Sequence, residues 1–131
     1  MIFIDTSALY ALLDRDDQHH AAAGRSFKEM VEADEGLLTH NYVLIESLAV
    51  VHRRLGAGAA RALAEDLVPL VEIEWVGPDV HAAAMSAYLA ALRRRVSLVD
   101  WVSFELMRRR GVRKAFAFDR DFAAQGFETL P

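Results

Sequence analysis

Short strand-like segments alternate with longer helical segments along this chain, and this alternation is the strongest constraint on its fold. The first segment, Met1–Ile4, is wholly apolar, as expected of a strand that is buried on both faces of a sheet. The segment Val71–Val76 alternates apolar residues with Glu72 and Glu74, which indicates a strand near an edge. Strands that are separated by helices favour an α/β fold with a mostly parallel sheet and helices on both faces.

The predicted elements cover nearly the whole chain. We predict strands at Met1–Ile4, Leu37–Thr39, Val71–Val76, Lys114–Phe118 and Phe127–Leu130. We predict helices at 6–14, 19–34, 41–55, 57–70, 78–94 and 97–111, and one helical turn at 120–124. The 131 residues contain no internal repeat and no linker rich in Pro or Gly, so we expect a single domain that spans residues 1–131.

The composition predicts a cytoplasmic protein with no membrane partner. The chain has no cysteine, which excludes disulfide bonds and thiolate metal sites and fits a reducing compartment. No basic segment precedes the apolar run at 2–4, so we expect no signal peptide, and no apolar run approaches the length that spans a bilayer.

Four acidic residues are candidates for one shared site. Asp5 directly follows the first predicted strand, and Asp119 directly follows the strand predicted at 114–118. Ligands of open parallel sheets bind outside the carboxyl ends of the strands, and helix starts can face the same edge. Asp100 lies in the first turn of a predicted helix and Glu46 lies one to two turns into another. All four side chains can therefore converge at this edge.

Each of these acids also has a purely structural explanation, which the sequence leaves open. Asp5 and Asp100 suit helix N-termini, and Asp119 suits a turn with its neighbours. Glu46 is harder to explain in this way because apolar residues flank it at 43–45 and 48–49, which predicts a buried position. A buried glutamate without a partner is costly.

A cluster of four carboxylates favours metal chemistry. The charges repel one another unless a cation or protons neutralise them, and Mg²⁺ prefers carboxylate and water oxygens. Such an ion lowers the pKa of bound water and offsets charge on a phosphodiester. The five histidines lack metal-ligand spacing, and the serines have no recognisable base partner. The P-loop, dinucleotide, serine-hydrolase and zinc-protease motifs are absent from the sequence.

Positive charge is concentrated late in the chain. Residues 1–50 hold three basic and nine acidic side chains, a balance of −6, whereas residues 91–120 hold nine basic and three acidic ones, a balance of +6. The candidate contacts for an RNA backbone are Arg93, Arg94, Arg95, Arg108, Arg109, Arg110, Arg113 and Lys114. Arginines at the end of a helix also complement its dipole, so a structural role for 108–110 stays open.

Four segments resemble the PIN domain family, specifically its VapC-type toxins. They are Met-Ile-Phe-Ile-Asp-Thr-Ser-Ala-Leu at 1–9, Asn-Tyr-Val-Leu-Ile-Glu-Ser at 41–47, Ser-Leu-Val-Asp-Trp-Val-Ser-Phe at 97–104 and Ala-Phe-Ala-Phe-Asp-Arg-Asp-Phe at 115–122. They occur in the order of the family and span nearly the whole chain. One departure is Ala117, because relatives often have Thr or Ser two residues before the fourth acid, which puts one auxiliary hydrogen bond in doubt.

The resemblance implies a three-layer α/β/α sandwich and a Mg²⁺-dependent endoribonuclease in which Mn²⁺ can substitute. The site residues that it implies are Asp5, Glu46, Asp100 and Asp119 as catalytic groups, Asp5 and Asp100 as metal ligands, and Ser7 and Asp121 as auxiliary groups. It implies hydrolysis of RNA phosphodiesters by a metal-activated water. It also implies the toxin of a type II toxin–antitoxin pair, a homodimer that binds a cognate antitoxin.

Two alternatives come from other classes of protein. A Mg²⁺-dependent phosphatase or phosphoacceptor domain also places acids at strand ends, but Asp5-Thr6-Ser7 lacks the second aspartate of a phosphatase loop. A PIN-like module without catalysis is the other, with a role in binding RNA or antitoxin. Assays on RNA and on a small phosphomonoester separate these alternatives from a ribonuclease.

Overall fold

A central sheet of five parallel strands organises the chain. The computed structural model describes residues 1–130. The strands, in the spatial order β3-β2-β1-β4-β5, are β1 (Ile2–Ile4), β2 (Leu37–His40), β3 (Glu72–Glu74), β4 (Lys114–Phe116) and β5 (Glu128–Leu130). All neighbouring pairs are parallel, so the predicted mostly parallel sheet is parallel throughout. β3 lies at an edge, as its alternation with glutamate predicted.

Helices join the strands and cover the sheet, which confirms the α/β/α fold. Within residues 1–130 they are α1 (Thr6–Leu13), α2 (His20–Glu32), α3 (Asn41–Leu55), α4 (Ala57–Ala62), α5 (Pro78–Ala90), α6 (Leu98–Arg110) and α7 (Arg120–Ala124). Every crossover between sequential strands contains at least one helix, as parallel neighbours require. None of the described helices has both the length and the apolarity of a membrane span.

The core explains why β1 lies at the centre of the sheet. Ile2, Phe3 and Ile4 are all buried, and β2 and β4 pair with β1 on its two sides. Phe104 of α6 packs edge-on against Phe122 of α7 with ring centroids 5.0 Å apart. This packing fixes α6, whose first turn carries Asp100, relative to the carboxyl edge of the sheet.

Several predicted boundaries are wrong. Only the first part of the helix predicted at 57–70 is α-helical, and it ends at Ala62. A π-helical turn (Leu63–Leu67) and a 3₁₀ turn (Val68–Leu70) follow it. Pro69 explains the break, because its ring clashes with the carbonyl four residues earlier and it has no N–H to donate. The helix predicted to reach Arg94 ends at Ala90, and a 3₁₀ turn (Leu92–Arg94) follows. β4 ends two residues early, at Phe116.

Candidate active site

Asp5 and Asp119 both cap helices at the carboxyl edge of the sheet. Asp5 follows β1 directly, and its Oδ2 accepts hydrogen bonds from Ser7 N at 3.1 Å and from Ser7 Oγ at 2.6 Å. Asp119 caps α7 through Oδ1, which accepts from Asp121 N at 2.9 Å. Two residues separate Asp119 from β4, which corrects the prediction that it follows the strand directly. The capping bonds engage one oxygen of each carboxylate, so a cap and a site are compatible.

Ser7 connects Asp5 to the segment that carries Asp119. Its Oγ donates to Asp5 and accepts from Phe118 N at 3.0 Å. The hydroxyl therefore ties the end of β1 to the residue that precedes Asp119. Ala117, which lacks the hydroxyl often found at this position in relatives, is 4% exposed. Here the link between the two acidic segments comes from Ser7.

Asp100 and Glu46 reach the same edge from the starts of two helices. Asp100 lies in the first turn of α6, and its backbone N donates to the cap residue Ser97 at Oγ, 3.1 Å away. Glu46 Oε1 accepts a hydrogen bond of 2.7 Å from Thr6 Oγ1. The expectation that Glu46 is buried was wrong, because its neighbour Ile45 is 61% exposed and Glu46 itself is half-buried.

All four predicted acids line one cavity of about 350 Å³. Its lining consists of Asp5, Thr6, Ser7, Glu46, Arg95, Ser97, Asp100, Asp119 and Asp121. One carboxylate oxygen from each of Asp100, Asp119 and Asp121 lies within 4.8 Å of the others, the spacing that a shared cation needs. Sequence analysis assigned Asp121 only an auxiliary place, and this close set shows that it approaches the centre as nearly as Asp119 does. The assignment of Asp5 as a metal ligand stays a prediction.

Burial and mutual repulsion raise the pKa values of these carboxyls. The pKa of Asp100 rises to about 8, first because the side chain is buried and then because of the charges of Asp5, Asp119, Glu46 and Asp121. Burial also raises the pKa of Asp5 to about 6, although its hydrogen bonds with Ser7 oppose the shift. The pKa of Asp121 is raised by burial, by its side-chain hydrogen bond with Asp119 and by the charge of Asp119. The centre therefore favours bound protons or a bound cation.

A buried histidine joins the two helix starts. His40 is 0% exposed, and burial lowers its pKa to about 3, so the ring is neutral. Its Nδ1 accepts from Val43 N at 3.3 Å, which caps α3 and leaves the proton on Nε2. Nε2 then donates to Ser103 Oγ at 2.8 Å, and Ser103 donates to Val99 O at 3.0 Å. The sequence gives His40 no metal-ligand spacing, and the structure shows it linking the helices of Glu46 and Asp100.

The structure separates the predicted basic residues into two groups. Arg95 lines the acidic cavity, and the exposed Arg93 and Arg94 directly precede it. Arg95 has a φ of 58°, in the left-handed region that non-glycine residues rarely adopt. This conformation ends the 3₁₀ turn beside the cavity.

The second basic group, residues 108–114, lies at the amino-terminal ends of the strands, opposite the acidic cavity. α6 runs from the cavity to Arg110, which places that residue about 15 Å from Asp100. Arg108 bonds Gln125 Oε1 at 2.8 Å, Arg109 bonds Glu105 at 2.8 Å, and Arg110 bonds Glu74. Arg113 and Lys114 are exposed. The structure does not bring this group to the cavity, and its contact with RNA stays a prediction.

Comparison with known proteins agrees with the fold. The family model of the PIN domain matches residues 2–128. The chain is 38% identical over 128 residues to the 23S rRNA-specific endonuclease VapC20 of Mycobacterium tuberculosis, which covers 97% of this chain and 95% of that protein. The crystal structure of Mycobacterium tuberculosis VapC20, a sarcin-ricin loop cleaving toxin, matches with a TM-score of 0.86 and 36% identity over the full length of both chains.

A more distant structure shares the fold alone. FitAcB from Neisseria gonorrhoeae matches with a TM-score of 0.72 at 15% identity, covering 100% of this chain and 97% of that one. The family match extends over nearly all of the described chain and includes every carboxylate of the cavity. The chain therefore belongs to the PIN domain family, among its VapC-type members.

Proposed function

We propose that this protein is a Mg²⁺-dependent endoribonuclease and the toxin of a type II toxin–antitoxin pair. The observation that carries the proposal is the convergence of Asp5, Glu46, Asp100, Asp119 and Asp121 on one cavity, in a chain 38% identical to a 23S rRNA-specific endonuclease. Charged groups of one sign are brought together at a cost in stability, which is typical of a site that serves a cation.

The donor set fits Mg²⁺. Asp100, Asp119 and Asp121 supply the close oxygens and would hold the ion, with Asp5 as the further predicted ligand. All donors are carboxylate oxygens, which Mg²⁺ prefers over the nitrogen and sulfur donors that transition metals favour. When bound, the ion lowers the pKa of a coordinated water and offsets negative charge on the phosphodiester.

The remaining residues orient the reacting groups. Thr6 holds Glu46 through Oε1, which leaves Oε2 to accept a hydrogen bond from the attacking water. Ser7 holds Asp5 and the backbone before Asp119 at a fixed separation. Arg95, at the rim of the same cavity, supplies a positive charge for a phosphate of the RNA.

The RNA substrate that we propose is the sarcin–ricin loop of 23S rRNA. The support is VapC20, which is named as a 23S rRNA-specific endonuclease in the sequence comparison and as a sarcin-ricin loop cleaving toxin in its crystal structure; both alignments cover nearly the full length of each chain. A synthetic hairpin of that loop is therefore the first substrate to test.

Cleavage of this hairpin is expected to need Mg²⁺ or Mn²⁺ and to stop in EDTA. Because water attacks the phosphorus and the P–O3′ bond breaks, with O3′ leaving as a hydroxyl, the products should carry 5′-phosphate and 3′-hydroxyl ends, which gel mobility and end-labelling distinguish. A small phosphomonoester in the same buffer serves as the control for a phosphatase. Cleavage that persists in EDTA, or 2′,3′-cyclic phosphate ends, would contradict the mechanism. Metal-dependent binding without cleavage would favour the non-catalytic module.

A homodimer and a cognate antitoxin are the proposed protein partners. Their support is a set of large apolar side chains that the described chain leaves exposed, among them Ile45 at 61% and Trp75 at 71%. Where such side chains adjoin one another in a large apolar patch, they are typical of surfaces that pair with other proteins. An adjacent short reading frame with a DNA-binding N-terminus would support the antitoxin, and light scattering of the purified chain measures the dimer.

Replacing Arg95 with Gly is expected to weaken RNA binding without destabilising the fold. The backbone φ of 58° suits glycine, so the variant removes the side chain and relieves a strain of about 1 kcal/mol. The plot of log K against log salt has a negative slope, and loss of one phosphate contact should make this slope shallower by about 0.7–0.9. Anisotropy titrations of the hairpin over a range of salt concentrations measure this slope.

The matched control for this experiment is Arg61→Ala, which also removes one positive charge. Arg61 is an exposed residue of α4 that pairs with Glu65 on the π-helical turn that follows. Its slope should equal that of the wild type. An unchanged slope for Arg95→Gly would mean that Arg95 does not contact phosphate. The same titration with Arg108→Ala tests whether the remote basic group contacts RNA.

A further inference from the structure

A second cavity adjoins the acidic cavity and shares one wall with it. Its volume is about 350 Å³, and it lies between the start of α2, the segment after β4, and β5. Asp119 lines both cavities, so a group held in the second lies beside one member of the close carboxylate set. Sites for small organic groups begin at about 300 Å³, which makes this cavity large enough to hold one.

Two stacked rings form one wall of this cavity. The rings of His19 and Phe118 are parallel within 8°, with centroids 4.3 Å apart. Phe118 packs against the core, with its ring centroid 5.9 Å from that of Phe116, so it anchors the pair, and the ring of His19 is partly exposed. Proteins hold unstacked nucleic-acid bases on aromatic and histidine rings in this way.

The other walls supply groups that suit the polar parts of a nucleotide. Thr129 lies on β5, an edge strand of the described sheet, and edge strands present backbone donors and acceptors that no neighbouring strand uses. Arg120 also lines the cavity, is exposed, and makes no ion pair among residues 1–130. In the sequence it lies between Asp119 and Asp121, which both line the acidic cavity. Its charge therefore suits a phosphate group of an RNA that extends from one cavity into the other.

We propose that the cavity bounded by His19, Phe118 and Thr129 is a nucleobase subsite, which holds one unstacked base of the RNA next to the cleaved phosphodiester. The proposal rests on the proposed function, since it places a base of that same substrate. The base stacks on the ring pair, its polar edge meets the β5 side of the cavity, and Arg120 contacts the adjoining phosphate. The subsite selects an RNA in which this base is free to leave its stack, as in a loop.

A scan with abasic nucleotides tests the subsite. The probes are fluorescein-labelled hairpins of the sarcin–ricin loop, each with a single ribose phosphate that lacks its base. Their binding is measured by anisotropy in the Asp100→Asn background, so that the RNA stays intact, and wild-type protein maps the cleaved bond separately. We expect one abasic position, adjacent to that bond, to weaken binding roughly tenfold, the size of one stacking interaction.

Variants of the ring identify this position as the occupant of the cavity. His19→Phe keeps a stacked ring and should keep the tenfold effect, whereas His19→Ala should reduce it to less than twofold. Ala123→Leu fills the cavity from an exposed position without touching the core, and it should reproduce the effect of His19→Ala. Melting temperatures of all variants show whether they are folded.

The outcomes separate the subsite from the proposed function. If the wild type cleaves RNA but no abasic position weakens binding in a way that depends on the ring of His19, the subsite is wrong and the proposed function stands. Absence of cleavage by the wild type, with a ring-dependent position still found, overturns the nuclease and leaves the base site. If His19→Ala and Ala123→Leu bind every RNA as the parent does but weaken binding of the cognate antitoxin, the cavity is a protein site and the subsite is wrong.

Discussion

Replacing Asp100 with Asn is expected to abolish RNA cleavage while leaving the metal-free protein at least as stable as the wild type. Cleavage should fall by about 10³-fold or more, because a lost metal ligand removes several kcal/mol of transition-state stabilisation. Stability should respond in the opposite sense, because burial and the neighbouring carboxylates oppose ionisation of Asp100 and asparagine carries no charge.

Four melting curves test the effect on stability, with wild type and variant each in EDTA and in excess Mg²⁺. At an ion concentration 100 times its Kd, Mg²⁺ stabilises the wild type by about 2.7 kcal/mol, and the variant should lose most of this increment. The matched control is Asp79→Asn, an exposed acid in the first turn of α5, which should lose about 0.3–1 kcal/mol under both conditions. If Asp100→Asn behaves like this control, Asp100 is only a helix-start residue.

The metal-free protein is expected to lose stability as pH rises from about 4 to about 8. The pKa of Asp100 is about 8 and that of Asp5 about 6, both raised mainly by burial from 3.8. An acid with a higher pKa in the folded state holds its proton more tightly when folded. Its stabilising contribution is therefore complete below pH 3.8 and is lost as pH rises through the folded value. One such group changes the free energy of unfolding by about 1.4 kcal/mol per pH unit within this window.

Urea unfolding in EDTA at several pH values between 5 and 8.5 measures this slope. Asp100→Asn should show a shallower slope, because the group with the largest window is gone. Excess Mg²⁺ should flatten the slope of the wild type, because the ion binds the ionised carboxylates and its affinity grows with pH. Equal slopes for wild type and Asp100→Asn in EDTA would show that Asp100 has no raised pKa.

The sequence predicted the convergence of the acids where the ends of strands determine it. Asp5 was predictable because the wholly apolar β1 must lie inside the sheet, which forces the next residue to its carboxyl edge. Asp121 was not recognised as part of the close set. Its place depends on α7, a five-residue helix whose start is set by the side-chain bond of Asp119 to Asp121 N. The sequence predicted the turn at 120–124, but how closely the side chain of Asp121 approaches those of Asp100 and Asp119 depends on the packing of α7 against the sheet.

The basic residues show a second limit. Their charge was visible in the sequence, but their division between two edges depends on the direction of α6 and on where α5 ends. The left-handed conformation of Arg95 carries no sequence signal, since it is not a glycine. The exposure of Ile45 was missed for a related reason. A helical segment made mostly of apolar residues is expected to be buried, and only the packing of the surrounding elements shows which of its residues stay exposed.

The pairing of β1 with β4 sets the moment during protein synthesis at which the acidic residues first meet. β1 comprises residues 2–4, and its partner β4 is not available until residue 116 has left the ribosome. At about 5–20 residues per second, roughly 6–23 s pass between the synthesis of Asp5 and that of Asp119. Parallel pairing across so long a stretch of chain is also a late event in folding, since the loop must close before the contact is gained. A ribosome that translates this chain is consequently not exposed to a complete carboxylate cluster before residue 121 has been made.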